Sequence, residues 1–268
     1  MLKDITLGQY FPGSTVAHRL DPRTKILLVV LYIVALFCAK GAVGYAVMAL
    51  VLLTCARISK VKFKSLVRGL KPVLFIIIFT AIMNLFFTPG ENYIFELGFL
   101  RVSAEGLRNA FFMVLRIMML IMGTFLMTYT TSPIALTDGL ESLLAPLKKL
   151  RFPVHELAMM MSIALRFIPT LIEETDKIMS AQKARGADFE TGNVFQRAKA
   201  LVPILVPLFI SAFRRADELA TAMECRCYHG GEGRTALRVL HYQKADWLSL
   251  AAFVALTAGV IVLKKFGF

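Results

Sequence analysis

The stretch Arg57-Ile-Ser-Lys60-Val-Lys62-Phe-Lys64-Ser-Leu-Val-Arg68-Gly-Leu-Lys71 carries six basic residues and no acidic one. It separates two apolar runs, Ala42 to Ala56 and Pro72 to Thr88. Loops beside membrane spans that are rich in Lys and Arg stay in the cytoplasm. The segment therefore reads as a cytoplasmic loop between two spans, and it orients everything on either side.

Upstream, Ile26 to Ala39 is a further apolar run, separated from Ala42 by Lys40-Gly41. Each of these first two runs is shorter than the ~20 residues that cross the hydrocarbon core. Arg23 and Lys25 can snorkel and lengthen the first, so the pair reads as a tight helical hairpin. Residues 1–25 form a polar lead-in with turn residues at Pro12-Gly13 and Asp21-Pro22. They hold no apolar core of a cleavable signal peptide. Downstream, Pro72 suits the first turn of the next helix. The loop from Pro89 to Arg101 contains Glu91, Glu96 and a single basic residue, and belongs outside. Ser103-Ala-Glu105-Gly106 can cap the following helix, which is apolar from about Ala110 to Thr131 apart from Arg116. A charge at that depth is costly unless it snorkels, pairs or faces a cavity. Tyr242 and Trp247 mark an interface for a last span to Leu263, closed by Lys264-Lys265. Those two lysines fall outside, against the charge rule, but the six in the Arg57–Lys71 loop outweigh them.

Composition agrees. The chain has 268 residues, 57% hydrophobic and 18% charged, with a mean hydropathy of +0.66, as expected of a polytopic membrane protein. The net charge of +13 points to cytoplasmic loops and anionic lipid headgroups. No basic stretch is interleaved with stacking aromatics, so nucleic acid is not expected as a partner. Cys38 and Cys55 lie in apolar runs, and Cys225 and Cys227 in a basic segment where thiols stay reduced.

Residues 132–245 are too polar to cross a bilayer repeatedly and too apolar to be disordered. Three helical patterns fill them. Thr137 to Leu150 is amphipathic and ends in Lys148-Lys149. His155 to Ala184 has a seam at Leu157, Met161, Ala164, Ile168, Leu171, Thr175 and Ile178. Asn193 to Tyr228 has one at Ala198, Leu201, Leu205, Leu208, Ala212, Arg215, Leu219 and Ala222. Pro169, Pro203 and Pro207 fall inside these patterns and predict bends.

The ends of the last two patterns repeat. Asp176-Lys-Ile-Met-Ser-Ala-Gln-Lys-Ala-Arg185-Gly186 aligns without gaps on Asp217-Glu-Leu-Ala-Thr-Ala-Met-Glu-Cys-Arg226-Cys227. A cation at a helix C-terminus is favoured by the dipole by ~0.3–1 kcal/mol, which would explain one such arginine. Two with matched surroundings point to an external reader. The small neighbours Ala184 and Gly186, and Cys225 and Cys227, let another backbone approach closely. An arginine projecting there can enter an acidic pocket with bidentate, charge-assisted bonds.

No P-loop, zinc-protease or serine-hydrolase motif occurs, and no intramembrane carboxylate pair. Cys225-x-Cys227-x-His229, with His241, is poorly spaced for structural zinc, and no metal is expected. The spans hold almost no acidic residue, against an autonomous secondary transporter or channel, which stays as the alternative.

Pro12-Gly13-Ser14 with His18-Arg19-Leu20-Asp21-Pro22-Arg23-Thr24-Lys25 resembles the opening of the transmembrane T component of energy-coupling factor (ECF) transporters. Arg166-Phe167-Ile168-Pro169, Glu173-Glu174 and Ala181-Gln182-Lys183-Ala184-Arg185-Gly186 resemble its first coupling helix. The second arginine motif of that family is met here by Cys225-Arg226-Cys227, with the arginine kept and both flanks changed. The resemblance implies an all-α membrane protein with about five spans and a cytoplasmic domain of three amphipathic coupling helices. Its parts would be a cytoplasmic lead-in (1–25), four spans (26–131), the coupling domain (132–245) and a last span (246–268). It implies a multi-pass subunit of a prokaryotic cell membrane, not itself an enzyme and binding no cofactor. Its partners would be two ABC-type ATPases, which use ATP and magnesium, and a small membrane protein that captures a vitamin or transition-metal ion. The arginine motifs would dock the ATPases, and the proline bends would serve coupling.

Overall fold

The computed structural model describes residues 10–88, 93–97, 100–189, 193–230 and 239–265. The first nine residues of the lead-in, and Pro89 and Glu91 of the outer loop, lie outside the described residues. Among the described residues the fold is all-α apart from one small hairpin. The helices are α1 (Val16–Arg19), α2 (Pro22–Cys38), α3 (Gly41–Ile58), α4 (Phe63–Leu70) and α5 (Leu74–Phe87). After strands β1 (Tyr93–Leu97) and β2 (Leu100–Ser103) come α6 (Ala104–Thr130), α7 (Pro133–Leu144), α8 (Val154–Ala184), α9 (Val194–Cys225) and α10 (Lys244–Lys265). The hairpin occupies the loop expected outside, with Tyr93 opposite Ser103 and Leu97 opposite Leu100. The basic Arg57–Lys71 segment is not an open loop: α4 and a 3₁₀ turn over Lys71–Val73 fill most of it.

Among the described residues, five stretches are long and apolar enough to cross a membrane: Gly41–Ile58, Phe63–Phe86, Ala104–Thr130, Val154–Ala184 and Lys244–Lys265. The sequence reading agrees at four places and differs at two helices. It takes α2 as a span, although α2 is only 17 residues long. It takes α8 as lying outside the membrane, although its N-terminal half is apolar enough to qualify. The C-terminal half of α8 carries Glu173, Glu174, Asp176, Lys177 and Lys183, too many charges for hydrocarbon.

The chain divides into two compact units. The first comprises residues 8–139 and 240–268. Its core gathers Tyr32, Ala35, Leu36 and Ala39 of the α2 segment, Tyr45, Met48 and Leu52 of α3, Met119 of α6 and Val260 of α10. Small residues on α6 let it approach α2. A Cβ on Gly123 would lie 2.5 Å from the Tyr32 ring, and that ring is held by its hydroxyl donating to the Met119 carbonyl at 3.3 Å. Gly123→Ala is therefore expected to destabilise the unit by about 1–3 kcal/mol through overpacking, read as a lower melting temperature in detergent.

One end of this unit is closed by polar groups. Asp21 caps α2 by accepting from the Arg23 N–H at 2.9 Å. Its own N–H donates to Asp246 Oδ1 at 2.9 Å, while Asp246 Oδ2 accepts from the Gln243 N–H at the start of α10 at 2.8 Å. The Arg23 guanidinium pairs with Asp21 Oδ2 at 2.9 Å and lies 3.9 Å over the Tyr242 ring. Burial pushes the Asp21 carboxyl up, but the bonds and charge of Arg23 outweigh it and hold the group below the usual carboxylate range. Lys25 Nζ donates to the carbonyls of His18 at 3.2 Å and Thr130 at 2.9 Å, a cation at the C-terminus of α6 as the dipole favours. The Phe11 N–H donates to Tyr129 O at 3.0 Å, and the Tyr129 hydroxyl to Ser65 O of α4 at 3.3 Å. The lead-in, the basic segment, the end of α6 and the start of α10 thus meet at one end of the unit. These are the ends that the charge pattern assigns to one side of the membrane.

The second unit comprises residues 140–239. After α7, which begins in the first unit, a 3₁₀ turn covers Ala145–Leu150. His155 Nδ1 lies 2.8 Å from Glu141 Oε1 and ties the start of α8 to α7. α8 and α9, 31 and 32 residues long, then pack on each other. Asn193 and Gln196 form a capping box at the start of α9.

Candidate functional site

α8 and α9 run antiparallel along their contact. Gln182 Nε2 donates to the Pro203 carbonyl at 3.3 Å. Further along, Glu174 accepts from the Ser211 hydroxyl and from Arg215 Nη2 at 3.0 Å. A groove between the helices is lined by Ile163, Phe167 and Leu171 of α8 and by Ala212, Leu219 and Met223 of α9. The seam expected on α8 is only partly the one used. Leu171 faces α9, whereas Leu157 and Met161 stay 39% and 45% exposed. On α9, Leu208, Ala212 and Leu219 are half-buried, while Leu201 and Leu205 are exposed. The side chain of Ala198 lies outside the described residues. The expected seams follow a coiled-coil spacing along the whole of each helix, but two helices that meet over part of their length need only the rows at the contact.

The prolines have a local account. A proline at i removes the hydrogen bond to the carbonyl at i−4. Pro207 thus frees the carbonyl of Pro203, the acceptor that Gln182 takes up. Pro169 lies inside α8, and Pro203 with Pro207 inside α9, as expected. Gln182 belongs to the same short block as Arg185, so the first arginine motif is fastened to the proline-bearing stretch of the neighbouring helix. The sequence signal was available, since a glutamine three residues before the arginine is a donor without an assigned partner.

The antiparallel packing puts the two arginines at opposite ends of the helix pair. Arg185 follows the C-terminus of α8 and Arg226 that of α9. Extending the Gln182–Pro203 register at 1.5 Å per residue separates them by on the order of 40 Å along the pair. Ala184, Arg185, Gly186, Cys225, Arg226 and Cys227 are all exposed. Among the described residues neither guanidinium has a hydrogen-bond or salt-bridge partner.

The backbone of the two motifs is the same. The Gly186 N–H donates to Lys183 O at 3.0 Å and the Ala187 N–H to Gln182 O at 3.0 Å. The Cys227 N–H donates to Glu224 O at 2.9 Å and the Tyr228 N–H to Met223 O at 3.1 Å. Both are Schellman ends, and each arginine is the last residue before a left-handed one. Gly186 sits at φ +86 and Cys227 at φ +56. Glycine adopts that conformation freely, whereas a residue with a Cβ pays roughly 1–2 kcal/mol. Cys227→Gly is therefore expected to stabilise this helix end by up to about 1 kcal/mol, allowing for glycine's larger loss of chain entropy. Slower proteolysis after Arg226 would register it. The changed flanks of the second motif leave the presentation of the arginine intact.

What differs is charge. The positions aligned with Lys177 and Lys183 hold Glu218 and Glu224, all four exposed. The same guanidinium is thus offered in a basic setting at one end of the pair and in an acidic one at the other. Cys225, Cys227 and His229 belong to no cluster able to hold a metal ion among the described residues.

Comparison with known proteins covers nearly the whole chain. The family model described as CbiQ, cobalt transport protein, matches residues 13–237. The energy-coupling factor transporter transmembrane protein EcfT of Thermosediminibacter oceani is 58% identical over 254 residues, 95% of this chain and 94% of its own length. That of Clostridium kluyveri is 55% identical over 263 residues, 97% of each chain. That of Bacillus subtilis is 48% identical over 264 residues, 98% of this chain and all of its own. A multi-pass helical membrane protein that ends two packed helices on the same outward arginine, and that matches these sequences over nearly its whole length, belongs to the CbiQ cobalt transport protein family, as a transmembrane component of energy-coupling factor transporters.

Proposed function

We propose that the chain is the scaffold and energy transducer of its transporter, joining two ABC-type ATPases to a small membrane protein that captures a vitamin or transition-metal ion. The observation that carries this reading is the repeated helix end: one backbone motif, built twice, holding an exposed and unpartnered arginine at each end of the α8–α9 pair. Each arginine docks in an acidic groove on one ATPase, with Ala184 and Gly186, or Cys225 and Cys227, as the close-packed flanks. Closure of the ATPases on ATP then moves the two ends of a braced pair together. The brace is the Glu174–Ser211–Arg215 cluster and the Gln182 bond to the Pro203 carbonyl freed by Pro207, with Pro169 shaping α8.

Residues 132–245 act as the cytoplasmic coupling domain, and residues 26–131 and 246–268 as the membrane part. The polar end of the first unit, and with it the lead-in, faces the cytoplasm at a prokaryotic cell membrane, a reading supported by the six basic residues between Arg57 and Lys71. An apolar row on α9, with Val202, Val206, Phe209 and Phe213 at 50–69% exposure, is left to meet the substrate-binding subunit or lipid. The chain performs no catalysis and binds no cofactor. ATP and magnesium are used by its partners.

Reconstitution tests this. The chain with both ATPases and a substrate-binding subunit in liposomes is expected to take up substrate only with ATP. Substrate flux through liposomes holding this chain alone would overturn the proposal in favour of an autonomous carrier.

A further inference from the structure

Arg116 is the charge that the docking function does not use. It is the thirteenth residue of α6, roughly 18 Å from the start of that helix at 1.5 Å per residue. By position in α6 alone it is mid-membrane. Its neighbours place it elsewhere. Its guanidinium carbon lies 5.6 Å from the Phe37 ring and 5.7 Å from the Tyr45 ring. Phe37 is the penultimate residue of α2, and Tyr45 is in the second turn of α3. Arg116 therefore sits about one turn below the α2–α3 connection. Helices of 17 and 18 residues span roughly 26–27 Å, less than the ~30 Å hydrocarbon core, so that connection lies at or just inside the headgroup boundary.

Among the described residues, two enclosed polar groups of this site lack a partner. Arg116 Nε is enclosed without a hydrogen-bond partner, and so is the Tyr45 hydroxyl of a side chain that is only 3% exposed. A buried donor left unpaired is destabilising unless something completes it. The guanidinium lies near both rings with its Nε enclosed, so its Nη edge is the part left to bond outward. Lys40, exposed at the α2–α3 connection, adds a second cation. Around it runs an aromatic strip. Phe112 stacks on Tyr45 at 5.0 Å and touches Phe111 at 5.7 Å, while Phe111 and Phe37 are 64% and 59% exposed. A cationic fork beneath a headgroup boundary, flanked by exposed rings, matches a phosphodiester with acyl chains: the phosphate accepts bidentate bonds from arginine and the chains cover the rings.

We propose that Arg116 and Tyr45, with Lys40 at the rim, form a binding site for the phosphate of a membrane phospholipid on the α2–α3 side of the first unit. The site stands independently of ATPase docking. It is tested on the full-length chain extracted with its partners, stripped with detergent and exposed to phosphatidylglycerol or to a phosphate-free diglucosyl diacylglycerol of the same chains. Retained lipid is counted by native mass spectrometry. Wild type is expected to keep one phosphatidylglycerol and no glycolipid. Arg116→Leu should lower that retention at least tenfold and Tyr45→Phe several-fold, while Arg116→Lys keeps part of it. Because Arg116→Leu can misfold, Tyr45→Phe provides the second reading, as it removes only a hydroxyl. Equal retention by wild type and both variants, or equal retention of the glycolipid, overturns the proposal. So does an unchanged lipid count with loss of the membrane partner from the Arg116→Leu complex, which would assign the guanidinium to a protein carboxylate.

Discussion

Replacing Arg185 and Arg226 together by glutamate is expected to abolish ATPase association and substrate uptake while the chain still inserts in the membrane. Both side chains are exposed and, among the described residues, unpartnered, so the folded chain loses little by the change. In the complex each would be a charge-assisted, largely desolvated contact, and truncating one member of such a pair costs about 2–5 kcal/mol. Reversal adds repulsion inside an acidic groove. Two sites on the order of 40 Å apart are independent enough for their losses to add. The single variants should each weaken association and the double should eliminate it, measured by co-purification in mild detergent with membrane insertion as control. Full uptake by the double variant would remove the docking assignment.

The second large effect concerns stability. Asp246 is 1% exposed, and its two oxygens hold the Asp21 and Gln243 N–H groups, joining the cap of α2 to the start of α10. Asp246→Ala leaves two backbone donors unpaired in a closed polar cluster, at about 1.5–3 kcal/mol for each bond to a charged group. A loss of about 3–5 kcal/mol is expected, enough to lower the yield of folded protein and its melting temperature sharply. Asp246→Asn keeps one acceptor and should fall between. A melting temperature unchanged in Asp246→Ala would show that the cluster contributes nothing net, as some buried ionic groups do.

Much of this fold is written in local patterns. Length and apolarity set the spans of α3, α5, α6 and α10, because a bilayer demands a minimum apolar length. Ser103 was legible as a cap, and its hydroxyl accepts from the Gly106 N–H at 2.9 Å. The repeated Asp176 and Asp217 blocks named both arginines. Other features were not legible. The Arg57–Lys71 segment reads as a loop in the sequence, because charge marks a side of the membrane and says nothing against a helix such as α4. The β1–β2 hairpin lies in a loop without strong alternation. The seam residues of α8 were placed by period alone, and period cannot tell which of two rows meets a neighbour.

The amino-acid sequence by itself determined that the chain is a helical membrane protein, which side its basic segments favour, and which two arginines end the long amphipathic helices. These depend on residues close in sequence and on the bilayer's fixed thickness. Tertiary structure decided that the helices bearing those arginines run antiparallel, that Gln182 answers the carbonyl Pro207 frees, that Asp21 meets Asp246, and that Arg116 lies under the α2–α3 connection. Each joins residues far apart in the chain, through hydrogen bonds and packing that form only once the helices are side by side.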